Sequence, residues 1–535
     1  MIMVSNFVLD TAKPTTVMDA TARDALMQRF NAAKSRRSQW ESLWQDAYDY
    51  ALPQRQGFGG GIRPGDTRMD RLYDATALDC VEQLAASLLG NLTPPWTQWF
   101  GLKPGPDLSA SDAERLAPAL EKAARTIQAH LDRSNFIVEI HQCFLDLIVG
   151  GTACLFVEEA PPGSFSAFRF TAVPLHQLVL EEGADGYLNG LYREVNMTLA
   201  QLRERYPLAD LPADVIRSGE RDAQARFPVL ESILPDGRGG YVLQATLQSA
   251  GSNATVLKQS RMADTPMIAF RWLKSPGEIY GRSPVMKSLP DIKTANKVVE
   301  LILKNASIAV TGIWQADDDG VLNPANIELK PGVIIPKAVG SQGLKPLEMP
   351  GRFDISQLVL DDLRARIRHA LLTDRLGQIS DRRMTATEVL ERSGEMALLL
   401  GATYGRLQTE LMTPLIMRAF AILRRRGEVP DIAIDGRLVT LDYRSPLARA
   451  QGQRNVQNTL SWLQAVQAMG PEALAAVNLP QAARFLGDAL GVPSDLILND
   501  VQPASQAQPT LDMEILNDEL LANDEASARA AASVF

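Results

Sequence analysis

The strongest constraint on this chain is a pair of helical stripes that match in length and flank a segment of different texture. After Pro290, the run DIKTANKVVELILKNASIAV places Ile292, Ala295, Val299, Ile302 and Ala306 at alternating three- and four-residue spacing. Ser283 and Pro284 supply an N-cap and a first helical residue ahead of it. The run DISQLVLDDLRARIRHALLTDRL sets Leu360, Leu363, Ile367 and Ala370 on a second stripe. At about 1.5 Å per residue the two helices, of roughly 20 and 24 residues, each span about 30 to 36 Å. Between them, residues 311–350 read as short strands and turns: TGIWQA, DDDG, NP, KPGVIIP. The pattern predicts two antiparallel arms with a small β module at their far end.

The rest of the chain is long enough for several cores. It has 535 residues, 46% of them hydrophobic, so disorder throughout is excluded. A net charge of −9 argues against one broad basic face for nucleic acid or anionic lipid, so any nucleic-acid contact must be local. Cys80, Cys143 and Cys154 lie in apolar sequence without C-x-x-C spacing and are expected as buried, reduced thiols. The stretch MIMVSNFVLDTAKP has no basic n-region, and the apolar run LIVGGTACLFV is too short for a membrane span. An intracellular, soluble protein without membrane contact is expected.

Before the first arm, the reading is α+β. Helices are predicted over TARDALMQRFNAAKSRRSQWESLWQDAYDYAL, ATALDCVEQLAASLLGNL, residues 111–134 and residues 136–149, with Gly150 and Gly151 breaking the chain ahead of the strand TACLFVEEA. Strand candidates follow in FRFTAVPL, YLNGLYREVNM, YVLQATLQ and MIAFRWL, interrupted by the helix TLAQLRERY. Beyond the second arm, a polar loop carries Arg382 and Arg383 into a helix start in which Thr385 and Glu388 have capping-box spacing. That helix should run to AILRRRG, end at Gly427, and kink at Pro414. DIAIDGRLVTLDY reads as a hairpin turning at Asp435 and Gly436, helices continue to about residue 490, and the acidic end is expected to be poorly ordered.

Catalytic spacings are missing. There is no G-x-x-x-x-G-K-[ST], H-E-x-x-H or G-x-S-x-G, and the Gly-rich GFGGGIRPG has neither a preceding strand nor a Lys-Ser/Thr ending. Asp317, Asp318 and Asp319 are clustered carboxylates of the kind Mg²⁺ needs, but a solvated turn closed by Gly320 is the preferred reading. His130, His141, His176 and His369 are scattered, and His141 and Cys143 point to different faces of a helix. No cofactor or metal is expected. Arginines concentrate instead in the second arm and the loop after it: Arg364, Arg366, Arg368, Arg375, Arg382 and Arg383. Asp362 can pair Arg366 at i, i+4, whereas Asp381 can neutralise only one of the two loop arginines.

The stretches YGRSPVMKSLPDIKTAN, RRMTATEVLERSGEM, LQTELMTPLIMRAFAIL and YRSPLARAQ, with LTPPWTQWFGL, GTACLFVEE and VNMTLAQLRERY in order before them, resemble the head-to-tail connector, or portal, proteins of T7-like short-tailed bacteriophages. The resemblance spans roughly residues 20–450. It implies a structural protein, not an enzyme: a ring, usually of twelve copies, at one capsid vertex, with double-stranded DNA threading its axis. It implies an α+β portal fold with a wing (1–280), first stem helix (281–310), clip (311–350), second stem helix (351–376), tunnel loop (377–384), long wing helix and hairpin (385–448), crown (449–500) and tail (501–535). Arg364, Arg368, Arg375, Arg382 and Arg383 would face DNA, and Trp314 with Asp317, Asp318 and Asp319 would serve the clip and its docking. Implied partners are terminase, tail adaptors, and capsid and scaffold proteins; the implied location is the virion, and the host cytoplasm during assembly. Two rival readings are a metal-dependent nuclease or terminase-like enzyme using Asp317 to Asp319, and a scaffold without DNA contact.

Overall fold

The computed structural model describes residues 20–55, 57–58, 71–95, 97–248, 255–311, 314–315, 345–346, 353–376, 401–431, 439–444, 446–470, 473 and 477–490. The chain divides into two compact units, residues 1–454 and 455–535.

The first unit opens with helix α1 (Ala20–Ala51), α2 (Thr76–Leu92), strand β1 (Phe100–Pro104), α3 (Ala110–Asp132) and α4 (Phe136–Gly150). Helix α4 stops where its apolar run meets two glycines. Gly151 adopts φ +73°, and its N–H returns to the Leu147 carbonyl at 3.0 Å. The chain leaves as β2 (Thr152–Glu159), followed by β3 (Phe168–Val173), β4 (Leu178–Glu182) and β5 (Leu188–Met197). Helix α5 (Leu199–Arg205) starts in a capping box between Thr198 and Gln201, and α6 (Ala213–Arg221) follows. Strands β6 (Phe227–Pro235), β7 (Tyr241–Leu247), β8 (Thr255–Met262) and β9 (Met267–Arg271) complete the sheets. β4 to β8 form an antiparallel meander in sequence order, while β2 lies between β3 and β9 in a second sheet.

Helix α7 (Pro284–Thr311) then runs out, and α8 (Phe353–Ala370) packs back along it. Between them, β10 (Trp314–Gln315) and β11 (Lys345–Pro346) pair antiparallel, Trp314 opposite Pro346. The chain continues as α9 (Thr373–Leu376), α10 (Gly401–Leu407), a π-turn over Gln408–Met412, α11 (Thr413–Arg425) and β12 (Val439–Tyr443). Gly427, at φ +72°, closes α11 as the sequence predicts, with the Glu428 N–H on the Leu423 carbonyl at 3.0 Å. Helix α12 (Pro446–Ala468) spans the division between the units, and α13 (Leu479–Leu490) lies in the second.

One continuous core joins α1, α2 and α4 to the β3-β2-β9 sheet and to the bases of α7 and α8. Trp44 sits in it fully buried, with its indole N–H on the Gly150 carbonyl at 2.9 Å and Tyr280 edge-on at 4.9 Å. Side chains of this size contribute about 1.5–3 kcal/mol each by leaving water. Cys80, Cys143 and Cys154 are all free thiols buried in this core, as their apolar settings predict.

Two expectations are corrected, and a third element gains a partner. The second arm does not run to residue 376: α8 ends at Ala370, and Leu372 takes φ +60° before the short α9. The hairpin turn expected at Asp435 and Gly436 lies outside the described residues, and the strand Val439–Tyr443 pairs with β1, Phe100 opposite Tyr443, a partner that the sequence did not signal. The long helix is interrupted by a π-turn ending one residue before Thr413, with Pro414 in the first turn of the regular helix that follows. The break therefore comes from one extra residue in the turn, with the proline where its missing N–H costs least.

Candidate functional site

The helical hairpin leaves the body of the first unit through a tight junction. Ser283 caps α7: its Oγ accepts the Met286 N–H at 2.8 Å and donates to the Val149 carbonyl at 2.9 Å. Beside it, a Cβ built on Gly281 would lie 2.1 Å from the Gly151 carbonyl oxygen, and one on Gly151 would lie 2.2 Å from the Gly281 oxygen. Two backbones touch there because neither residue has a side chain.

Polar clamps fix the base of each arm. From α7, Asn296 accepts the Tyr73 and Asp74 N–H groups at 2.6 and 3.1 Å and donates to the Arg71 carbonyl at 3.0 Å. From α8, Arg364 donates to the buried Asp74 carboxylate at 2.9 Å through Nε, with a second guanidinium nitrogen at 2.8 Å. Lys293 reaches Asp46 at 2.6 Å. Arg366 crosses to Asp291 of α7 at 2.8 Å, not to Asp362 on its own helix as the i, i+4 spacing suggests. Burial pushes the Asp74 carboxyl up, but hydrogen bonds from Thr76 and Arg364 outweigh it and hold the group below the ordinary aspartate value of 3.8. Its stabilisation is therefore whole above that value and is lost as pH falls through the lower folded value. The melting temperature should drop on acidification below about pH 4, and Asp74→Asn should lower it at neutral pH while flattening the acid limb.

Of the arginines singled out from sequence, Arg364 is thus engaged with Asp74, whereas Arg368 is exposed. Past α8, Leu371 is buried and Leu372 takes the left-handed conformation. Thr373 then bonds the Arg368 carbonyl and the Cys80 thiol, both at 3.2 Å. This pins the start of α9, the helix that contains Arg375. Arg382, Arg383, Thr385 and Glu388 lie outside the described residues, as do Asp317, Asp318 and Asp319; Trp314 stands in the β10–β11 ladder.

A second junction was not foreseen. The Glu410 carboxylate, on the π-turn, accepts from the Arg271 guanidinium at 2.7 Å, the Arg271 N–H at 2.9 Å and Arg406 at 2.9 Å. Arg271 also donates to the Ile279 carbonyl at 3.0 Å. One ion pair thus links the long helix, strand β9 and the segment leading into α7. A mid-helix glutamate gives no sequence signal for such a role, because the π-turn that aims it is not periodic.

The arrangement is mechanical and electrostatic. Among the described residues no three His, Cys, Asp or Glu side chains converge as a metal site, and no helix is long and apolar enough to cross a membrane. On the hairpin, Leu301, Leu303, Leu358 and Val359 are about half exposed or more.

The family profile described as bacteriophage head to tail connecting protein matches residues 23–498. The chain is 26% identical over 530 residues to the probable portal protein of Bordetella phage BPP-1, covering 93% of this chain and 94% of that one. It is 25% identical over 515 residues to the portal protein of Salmonella phage epsilon15, covering 91% and 90%. To the portal protein of Escherichia phage T7 it is 22% identical over 538 residues, covering 96% and 95%. Among solved structures, a chain in the neck of an empty gene transfer agent particle is similar at 13% identity and a TM-score of 0.33, covering 75% of this chain and 90% of that one.

Proposed function

We propose, because this chain belongs to the family of bacteriophage head to tail connecting proteins, that it is the protomer of a portal ring through which double-stranded DNA enters and leaves a phage head. The observation that carries the reading is that the family match, residues 23–498, takes in the clamped hairpin and both of its flanks. The body of the first unit serves as wing, α7 and α8 as stem, the segment closed by the β10–β11 ladder as clip, residues 377–384 as tunnel loop, and the helices after 449 as crown. The ring docks terminase during packaging and tail adaptors afterwards, among capsid and scaffold proteins, in the host cytoplasm and then at one vertex of the virion. Trp314 and Asp317 to Asp319 belong to that docking end.

Arg364 acts in this reading as a stem anchor, and Arg368, Arg375, Arg382 and Arg383 remain as the charges for phosphate. A conduit must not grip its cargo, since each phosphate neutralised releases counterions and adds to binding. A narrow basic collar in a chain of charge −9 suits passage. Electron micrographs of the purified protein should show closed rings with an axial hole; compact monomers would sink the reading. In such rings Arg382→Ala with Arg383→Ala should leave assembly unchanged, since charges that face the channel in this reading would add little stability. DNA retention should weaken, and its salt slope should flatten by about one unit for each phosphate the ring no longer neutralises. Wild-type retention in the double variant would remove the loop from the DNA path.

A further inference from the structure

The stem hairpin presents two outward faces, one on each helix, and their residues are complementary. On α7 the face away from the buried Ile292 and Ala295 carries Lys297 and the half-exposed Leu301. On α8 the face away from the buried Leu360, Leu363 and Ile367 carries Asp361, Asp362 and Leu358, the last 74% exposed. Asp361 and Asp362 have no cation partner among the described residues. Among the described residues, Lys297 has one carboxylate partner, Glu300, which it shares with Lys304. Within one protomer, two free carboxylates and a large exposed leucine therefore stand on one arm, and an under-neutralised lysine with a second leucine on the other.

Their heights agree as well. The Asp291–Arg366 bridge sets the antiparallel register of the hairpin. Lys297 is six residues beyond Asp291, level with the residue six before Arg366, Leu360, and so beside Asp361 and Asp362. Leu301, ten beyond, falls within two residues of Leu358, or about 3 Å of rise. Copies related by rotation about one axis keep equal heights, so α7 of one copy meets α8 of the next with lysine against aspartates and leucine against leucine.

We propose that the occupant of each stem face is a second copy of this chain, joined by Lys297 to Asp361 and Asp362 of the neighbour and by Leu301 to its Leu358. This rests on the ring reading above and specifies which residues make its lateral joint. Every joint in a closed ring is the same, so one reversed charge weakens all of them at once.

The test is a charge swap read by native mass spectrometry at low salt. Lys297→Glu alone, and Asp361→Lys with Asp362→Lys, should each cut the closed-ring fraction by about tenfold or more, and the chain carrying all three changes should regain it to within about twofold. Circular dichroism should show all variants folded, since the altered groups are exposed. Wild-type ring fractions in either one-sided variant would overturn the joint and leave the ring standing, as would a folded triple variant that stays dissociated. A wild-type chain that forms no ring would overturn the ring reading and the joint with it.

Discussion

Gly281→Ala is expected to cost at least about 3 kcal/mol and to leave little folded protein at 37 °C. Its new methyl would sit 2.1 Å from the Gly151 carbonyl oxygen and 3.0 Å from the Arg271 Cβ. The neighbour cannot give way. The Gly151 carbonyl accepts the Trp272 N–H at 2.9 Å, Gly151 itself holds a left-handed φ, and the Gly281 N–H donates to the Thr152 hydroxyl at 2.9 Å. Moving either strand would also shift Ser283 and with it the start of α7. Gly277→Ala is the contrast, because Gly277, unlike Gly281, holds a left-handed φ of +80° and has open space where the methyl would go. It should cost only the left-handed penalty, about 1–2 kcal/mol. Denaturant melts of the two variants should therefore separate overlap from backbone strain; equal midpoints would mean that the junction is looser than its geometry implies.

Glu410→Ala should destabilise the first unit by about 3–5 kcal/mol, because it leaves the Arg271 guanidinium buried with no counter-charge. Arg271 is only 3% exposed. The penalty comes mainly from the orphaned cation and not from the missing attraction, which makes a distinctive rescue available. Replacing both partners, Arg271→Met with Glu410→Leu, should recover a large part of the stability, since a buried pair can often be exchanged for apolar groups near neutrally. Thermal unfolding of the single and double variants would check this. A double variant no better than the single would show that the hydrogen bond from the Arg271 N–H to Glu410, and the one from the Arg271 guanidinium to the Ile279 carbonyl, matter more than charge.

What could be read in the sequence was local. The three-and-four spacing of Leu360, Leu363 and Ile367, the Ser283–Pro284 start, the Gly151 stop and the Gly427 stop all depend on residues within a turn or two, and each is present. The end of α8 was misread for the same reason. Leu371, Leu372 and Leu376 prolong the apolar pattern, and nothing in it shows that Leu372 must turn left-handed so that Leu371 can enter the core and Thr373 can reach Cys80. Pairing across the chain left no trace. β1 meets β12 from the other end of the unit, and strand preference depends on neighbours that a linear reading cannot supply. The candidate site shows the same limit: Arg364 was grouped with the loop arginines by proximity, yet its partner, Asp74, lies 290 residues away. Arginine clustering in sequence thus mixed an anchor, Arg364, with Arg366, which pairs with Asp291, and with the exposed Arg368.

The β10–β11 ladder has an evolutionary consequence. It fastens the chain's departure from α7 to its return towards α8 with two residue pairs, Trp314 with Pro346 and Gln315 with Lys345. Residues 316–344 are thereby inserted at a socket of fixed width. The entropic penalty for closing such an insertion rises only logarithmically with its length. A lineage can therefore lengthen, trim or exchange this cassette by recombination while the helices beneath it keep their register.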